Sequence, residues 1–239
     1  MTPERYSKIL HVLNNRQAGL TIITDQVNKG RNIAAIVRTC DAVGIDTVHI
    51  VSPESGFQHY RGTATGSQKW VTTKLYESVA DPIKKLRESG FQIVAAHLSE
   101  TALDYRDIDY TKPTALILGA EKPGPSVYAK DAADHHISIP MFGMVASLNV
   151  SVACSIIMAE AQRQRTNAAL YGADLLPEAI YNKRLFSWCQ PELALYCDKY
   201  QLDYPDINDM GDVIDGPKWY RTVQEKIDFI ESPKLNEKF

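Results

Sequence analysis

The sequence predicts an α/β fold built around a mostly parallel β-sheet, and three observations carry that prediction. Short apolar runs alternate with amphipathic helical segments from residue 20 onward. Two of the runs, residues 92–97 and 114–118, are apolar at nearly every position, as strands covered on both faces are. A glycine-rich turn, Gly119 to Ser126, follows the second run directly. In α/β proteins that is where a crevice opens outside the carboxyl ends of the strands.

The elements follow in order. Residues 3–16 read as a helix, with Ile9, Leu10, Val12 and Leu13 at helical spacing and Arg5, Lys8, His11 and Arg16 supplying positive charge. Residues 20–24 read as a strand. Asn32 is the expected N-cap of a helix running to Val43, with Ile33, Ile36, Val37 and Cys40 as its apolar stripe and Gly44 as its stop. Strands are expected at 47–51 and 71–76, and an amphipathic helix at 79–89 presents Val79, Ile83 and Leu86 on one side. Strands at 92–97, 114–118 and 137–139 come next, then a long helix over 149–164 that is nearly all apolar up to Met158. Composition shifts after Tyr171. From Gln201 to Phe239 there are nine acidic residues against five basic, and Asp203, Asp206, Asp209, Asp212 and Asp215 recur every third position. This reads as a polar, poorly regular extension. An EF-hand pattern with its closing Glu is absent from it. Three parts result: a basic helical arm (1–18), an α/β core (19–170) and a C-terminal extension (171–239).

Composition narrows the function classes. The chain has 239 residues, 26 Lys plus Arg, 29 Asp plus Glu and a net charge of −3, so it is no uniformly basic nucleic-acid binder. The charge is nonetheless uneven. Residues 1–38 hold six basic groups (Arg5, Lys8, Arg16, Lys29, Arg31, Arg38) against two acids (Glu4, Asp25), a local basic patch. No apolar run is long enough to cross a membrane, and residues 1–6 lack the apolar stretch of a secretion signal. The four cysteines, at 40, 154, 189 and 197, make no C-x-x-C pair, and buried thiols in a reducing cytoplasm are expected. His135-His136 has no third ligand at metal spacing, so no metal is expected. The dinucleotide fingerprint is missing. In Gly119-Ala-Glu-Lys-Pro-Gly124-Pro125 a proline stands where a P-loop would place its lysine.

Several residues admit both a bland and a functional role. Arg31 and Arg38 lie two turns apart on one helix face, about 10 Å along the axis. They suit bidentate phosphate contacts, or a solvated face with Asp41 as ion partner. Met141 to Asn149 is apolar with small polar groups and opens a helix, where backbone amides can fix a polar ligand. Asn149 is an N-cap in either case. Arg163 and Arg165 complement the end of the long helix or contribute to an RNA-backbone patch.

Three blocks together resemble the TrmH (SpoU) family of the SPOUT class of RNA methyltransferases. They are Asn32-Ile-Ala-Ala-Ile-Val-Arg38-Thr-Cys-Asp-Ala-Val-Gly44, Ile117-Leu-Gly-Ala-Glu121-Lys-Pro-Gly124 and Ile139-Pro-Met-Phe-Gly-Met-Val-Ala-Ser147-Leu-Asn149-Val-Ser-Val-Ala153. They occur in family order, and the resemblance covers roughly residues 1–171. Asp109 to Pro113 and Glu160 to Arg165 are similar to the subgroup that methylates the D-loop guanosine-18 of tRNA.

The resemblance implies a SPOUT-type mostly parallel sheet with a C-terminal trefoil knot, flanked by N- and C-terminal helical extensions. It implies a cytoplasmic homodimer that uses S-adenosylmethionine as methyl donor and tRNA as substrate. It places the cofactor against the backbone near Ala96, Gly119, Ile139, Ser147 and Leu148. It gives catalytic or motif roles to Arg38, Asn149, Glu121, Ser147 and Asn32, and makes the helix from Asn149 the dimer-forming one. The basic residues Arg5, Lys8, Arg16, Arg31, Arg163 and Arg165 become the expected RNA contacts. Arg38 would either take the 2'-hydroxyl proton or stabilise the developing alkoxide. Rival readings within reach of the same residues are a ribose methyltransferase acting on ribosomal RNA or the tRNA anticodon loop, and a non-catalytic RNA-binding protein.

Overall fold

Among the described residues, fifteen helices and strands follow the expected alternation and then add a helical tail. A computed structural model describes residues 1–51, 69–120, 123–173 and 176–231, with side chains through 224. The order is α1 (Pro3–Asn14), β1 (Leu20–Asp25), α2 (Gly30–Ala42), β2 (Thr47–Val51), β3 (Thr72–Tyr76), α3 (Ala80–Glu88), β4 (Gln92–Ala96) and β5 (Leu103–Asp104). It continues with β6 (Thr114–Gly119), α4 (Val127–Asp131), β7 (His135–Ser138), α5 (Val150–Asn167), α6 (Glu178–Cys189), α7 (Pro191–Tyr200) and α8 (Gly216–Glu231).

Residues 15–175 form one compact unit. Among its described residues the strands make one sheet in the order β3-β2-β1-β6-β4-β7-β5, every neighbouring pair parallel. β1 and β6 lie in the middle and are buried at every position, which is why their sequences do not alternate. β3 is an edge strand, and its Lys74 and Leu75 are exposed. The side chains of the inner strands divide between two apolar layers. Leu20, Ile22, Val48, Ile50, Val94, Leu116 and Leu118 pack with Ile33, Ile36, Val37 and Cys40 of α2 and Cys154, Ile157 and Met158 of α5. Ile23, Val51, Ile93, Ala95, Ala115 and Ile117 pack on the other face with Ile83 and Leu86 of α3 and Ala129 of α4. This is a three-layer α/β arrangement in which each helix contributes one apolar stripe.

Residues 1–14 and 176–239 form the second unit. The arm and the extension, separate parts in the sequence reading, therefore belong to one body. α1 buries Ile9 and Leu13, and Tyr181 on α6 donates a hydrogen bond to Asn14 Oδ1 at 2.9 Å. Cys197, Tyr200 and Leu202 form a further cluster with Trp219 and Val223 of α8.

Several expectations need correcting. Asn32 does not cap α2: the helix starts at Gly30 after Lys29, and Asn32 is buried inside its first turn. α1 stops at Asn14 because Asn15 to Gly19 turn inward to hydrogen-bond the core. The tail from Gln201 is irregular only to Asp215. The amphipathic α8 follows, beyond the run of aspartates that ends at Asp215. α4 and β5 escaped detection because elements of five and two residues carry too little periodicity. Gly44 does end α2, with φ +83°, and a Cβ there would lie 2.5 Å from Asn15 O. All four cysteines are buried free thiols.

Candidate active site at the carboxyl end of the sheet

In a parallel sheet every strand points the same way, so the loops after β4, β6 and β7 gather at one end. There they enclose a cleft of about 700 Å³. Ala96 and His97 leave β4, Leu118 to Ala120 leave β6, and Ile137 to Leu148 leave β7 and form the longest wall. The size falls in the ordinary range for small-molecule sites, about 300–1,000 Å³.

The floor of the cleft depends on a glycine. A Cβ on Gly119 would lie 2.0 Å from Gly124 C and 2.0 Å from Pro125 N, so only glycine lets the turn fold back on the strand end. Gly124, with φ +71°, closes that turn, and its N–H donates to Ala120 O at 2.9 Å. The far end is pinned where Ser126 N–H donates to Asp25 Oδ2 at 2.7 Å. Asp25 is itself buried at the end of β1. Ser126 then caps α4 by accepting from Ala129 N–H.

All five residues expected to meet the cofactor, Ala96, Gly119, Ile139, Ser147 and Leu148, line this one cleft. Of the residues expected to carry catalysis, Ser147 does so as well. Asn149 sits just beyond as the N-cap of α5, its Oδ1 accepting from Ser151 N–H at 2.9 Å and from Ser151 Oγ at 2.6 Å. Its Nδ2 donates to Asn32 Oδ1 at 3.3 Å, so the first and third sequence blocks meet side chain to side chain. A second rung, Thr39 Oγ1 to Ser155 Oγ at 2.9 Å, ties α2 to α5 farther along. Arg38 is exposed on α2 beside that rung and does not line the cleft. Glu121 lies outside the described residues.

His97 is a cleft residue that the sequence reading missed. The available signal was positional: it is the first residue after a buried parallel strand. Its ring stands edge-on to His136 with centroids 5.7 Å apart. Burial, then Lys130, then His136 hold its pKa below the usual histidine value, so it is neutral at neutral pH.

The expected RNA contacts divide sharply. Arg5, Lys8, Arg31 and Arg163 are exposed. Arg163 also makes a two-pronged pair with Glu160 at 2.7 and 2.8 Å. Arg16 and Arg165 are not available to RNA, being 0% and 1% exposed. Arg16 donates to Ile45 O, Trp70 O and Asp41 Oδ1 at 2.7–2.9 Å. Arg165 donates to Gln17 Oε1 at 2.7 Å and Tyr110 O at 3.0 Å. A cationic residue near a helix end looks the same in sequence whether it points out or in; only the surrounding carbonyls decide. Asp41, read as a partner for the Arg31 and Arg38 face, pairs with Arg16 instead.

Known proteins similar to this chain are RNA-modifying methyltransferases. A tRNA (guanosine(18)-2'-O)-methyltransferase of Escherichia coli K12 is 44% identical over 226 residues, covering 94% of this chain and 99% of that protein. The crystal structure of the Aquifex aeolicus TrmH/SpoU tRNA modifying enzyme superposes with a TM-score of 0.72 at 40% identity, covering 77% of this chain and 94% of that one. The SpoU methyltransferase AviRb from Streptomyces viridochromogenes, in complex with the cofactor AdoMet, gives a TM-score of 0.56 at 29% identity over 64% of this chain and 62% of that one. The SpoU rRNA methylase C-terminal family matches residues 163–216, carrying the likeness into the tail that the sequence reading left unassigned. Residues 19–159, more than half of the sequence, match the SpoU rRNA methylase family, and the chain belongs to that family.

Proposed function

We propose that this protein transfers a methyl group from S-adenosylmethionine to the 2'-oxygen of a tRNA ribose, that of guanosine-18 in the D-loop. The observation that carries the reading is the end-to-end likeness to the Escherichia coli tRNA (guanosine(18)-2'-O)-methyltransferase. The cleft supports the cofactor: its volume, its backbone-rich walls and the close turn at Gly119 fit a flat nucleoside with a short polar tail. Bound there, S-adenosylmethionine supplies an electrophilic methyl group on a sulfonium sulfur.

The protein's part is orientation and charge. The loop from Ile139 to Leu148 would hold the cofactor, and the Asn32–Asn149 pair would fix the start of α5 beside it. Arg38 would face the ribose. A guanidinium is a fixed positive charge, so its assigned role is to offset the negative charge growing on the 2'-oxygen. Glu121 and Ser147 complete the proposed set. Arg5, Lys8, Arg31 and Arg163 would neutralise tRNA phosphates, so binding weakens steeply as salt is raised.

A homodimer belongs to the same proposal. Phe142 and Met144 are fully exposed (100% and 104%), with Val145 and Val152 at 59% and 46%. These residues supply an apolar surface of the kind that subunit contacts cover. A sedimentation experiment that returns monomer mass at micromolar concentration removes this part. The same reading assigns the trefoil knot to the chain from β6 to α5, supported by the placement of β6 between β1 and β4 while β7 lies beyond β4. It makes the 19–170 core catalytic, gives the exposed cations of the arm to tRNA, and places the protein in the cytoplasm.

The test is transfer of labelled methyl from S-adenosylmethionine to unmodified tRNA transcripts, with the modified nucleotide mapped. A 2'-O-methyl at guanosine-18 is expected. Methylation at another ribose, or on ribosomal RNA alone, overturns the substrate and leaves the reaction. Cofactor binding without transfer to any RNA overturns the reaction.

A further inference from the structure

His97 lines the cleft where the chain leaves β4, and its place is fixed from several sides. Its backbone N–H donates to Ile137 O at 3.0 Å, which ties it to β7. Its ring stands edge-on to His136 on the same strand, with centroids 5.7 Å apart. A Cβ built on Gly124 would lie 3.6 Å from its Nδ1, so the imidazole rests beside the Gly119–Gly124 turn. The ring is half-buried between two walls of the cleft. Among the described residues, the ionisable groups that bear on it are Lys130 of α4 and His136 of β7, and neither is an acid. Burial comes first, then these two neighbours, in disfavouring a positive charge on His97.

The proposed methyl donor is itself a cation. S-adenosylmethionine carries a sulfonium, an ammonium and a carboxylate, so its net charge is positive. S-adenosylhomocysteine, the product, has lost the sulfonium charge with the methyl group and is neutral overall. A cleft of about 700 Å³ keeps any two groups inside it within roughly a Debye length, about 10 Å, so a charge on His97 is felt by the whole ligand. We infer that His97 is a charge-selecting residue of the cofactor cleft: the neutral imidazole admits the cationic methyl donor, and the imidazolium disfavours it against the demethylated product. This rests on the reading that S-adenosylmethionine occupies the cleft. The sign follows from linkage. Donor affinity is full at neutral pH, where His97 is uncharged, and falls as pH drops below the usual histidine value of about 6.5. Product affinity does not fall with it, so inhibition by product grows as pH falls.

The experiment is calorimetry on the full chain. Kd is measured for S-adenosylmethionine and for S-adenosylhomocysteine at pH 7 and pH 5, in the parent, His97→Gln, His97→Lys and His136→Gln. A melting curve at each pH shows that the protein is folded. The readout is the ratio of the donor's Kd to the product's, from which contacts common to both ligands cancel. In the parent that ratio should rise about fivefold from pH 7 to pH 5. Glutamine keeps a donor and an acceptor without a titratable charge, so the ratio in His97→Gln should stay within about twofold across the same range. Lysine installs a lasting cation, and His97→Lys should raise the ratio at pH 7 about tenfold over the parent. His136→Gln should keep the parent's rise. A parent ratio that does not move with pH overturns the inference. So does a rise that survives His97→Gln or vanishes in His136→Gln, and so does a His97→Lys variant with the parent's ratio. A parent that binds neither ligand at either pH overturns the reading of the cleft instead.

Discussion

The two ends of the sheet are built on opposite terms. At the amino end, two buried guanidiniums stitch together the segments that lead into four strands. Arg16 holds the carbonyls of Ile45 and Trp70, ahead of β2 and β3; Arg165 holds those of Gly19, at 3.5 Å, and Tyr110, ahead of β1 and β6. Gln17 joins the two sets, donating its N–H to Gly44 O and accepting from Arg165 Nε. At the carboxyl end the segments after β4, β6 and β7 frame the cleft, with Phe142, Met144 and Ser147 in the open. One end spends its polar groups on itself. The other leaves them for a ligand. The helices α2 and α5 run between the two, beginning at the open end with Asn32 and Asn149 and finishing at the closed end with Asp41 and Arg165. The closed end can therefore hold the open one in register.

Four changes break or sharpen that contrast. The largest effect on stability belongs to Arg165→Met, which strips donors from Gln17 and Tyr110 in a dry site and should destabilise by about 4 kcal/mol. Urea unfolding measures it, and a loss below 1 kcal/mol means that the closed end is not held by its arginines. Next is the sheet between the ends. His49 on β2 is buried against Tyr76, its Nδ1 3.1 Å from the phenol oxygen. Burial, then Lys74, then Lys85 bring its pKa down to about 4. The folded state keeps His49 neutral while the unfolded chain takes a proton near pH 6.5. Stability is thus full above pH 6.5 and falls as pH drops toward 4, by up to about 3 kcal/mol. His49→Gln should flatten that slope in melts recorded between pH 7.5 and 4.5.

At the open end Gly119→Ala drives a Cβ into Gly124 and Pro125. Calorimetry should show S-adenosylmethionine binding weakened by about 100-fold, near 2.7 kcal/mol. Gly119 is also the last residue of β6 and pairs with Asp25, so a melting curve recorded alongside separates lost affinity from lost stability. Unchanged affinity would separate the cleft from the cofactor. The smallest effect is Ser126→Ala, which removes the α4 cap and costs about 1 kcal/mol. Asp25 keeps the backbone N–H of residue 126, so a much larger loss would show that the hydroxyl does more than cap.

Much of the site was legible because it is local in sequence. The turn at Gly119 to Gly124 and the run from Ile139 to Asn149 are each one contiguous block, and each follows a strand that announces itself by apolar composition. Ala96 and His97 were equally local, and His97 was missed only because a lone histidine carries no spacing signal. The basic residues were the weak point. Arg16 follows α1 and Arg163 lies in the last turns of α5, yet one is dry among carbonyls and the other lies in solvent against Glu160. The capping role assigned to Asn32 failed for the same reason. Its partner, Asn149, is 117 positions away.

The sequence by itself determined the alternation of strand and helix, the parallel sheet, the place of the cleft and the blocks that line it, because periodicity and turn chemistry act over a few residues. Tertiary structure alone decided which charges are spent inside and which face outward, which carboxylate Arg16 captures, and that the arm and tail make one body. Those outcomes depend on groups far apart in the chain, and burial turns an ordinary surface residue into a fixed anchor only after the fold has brought them together.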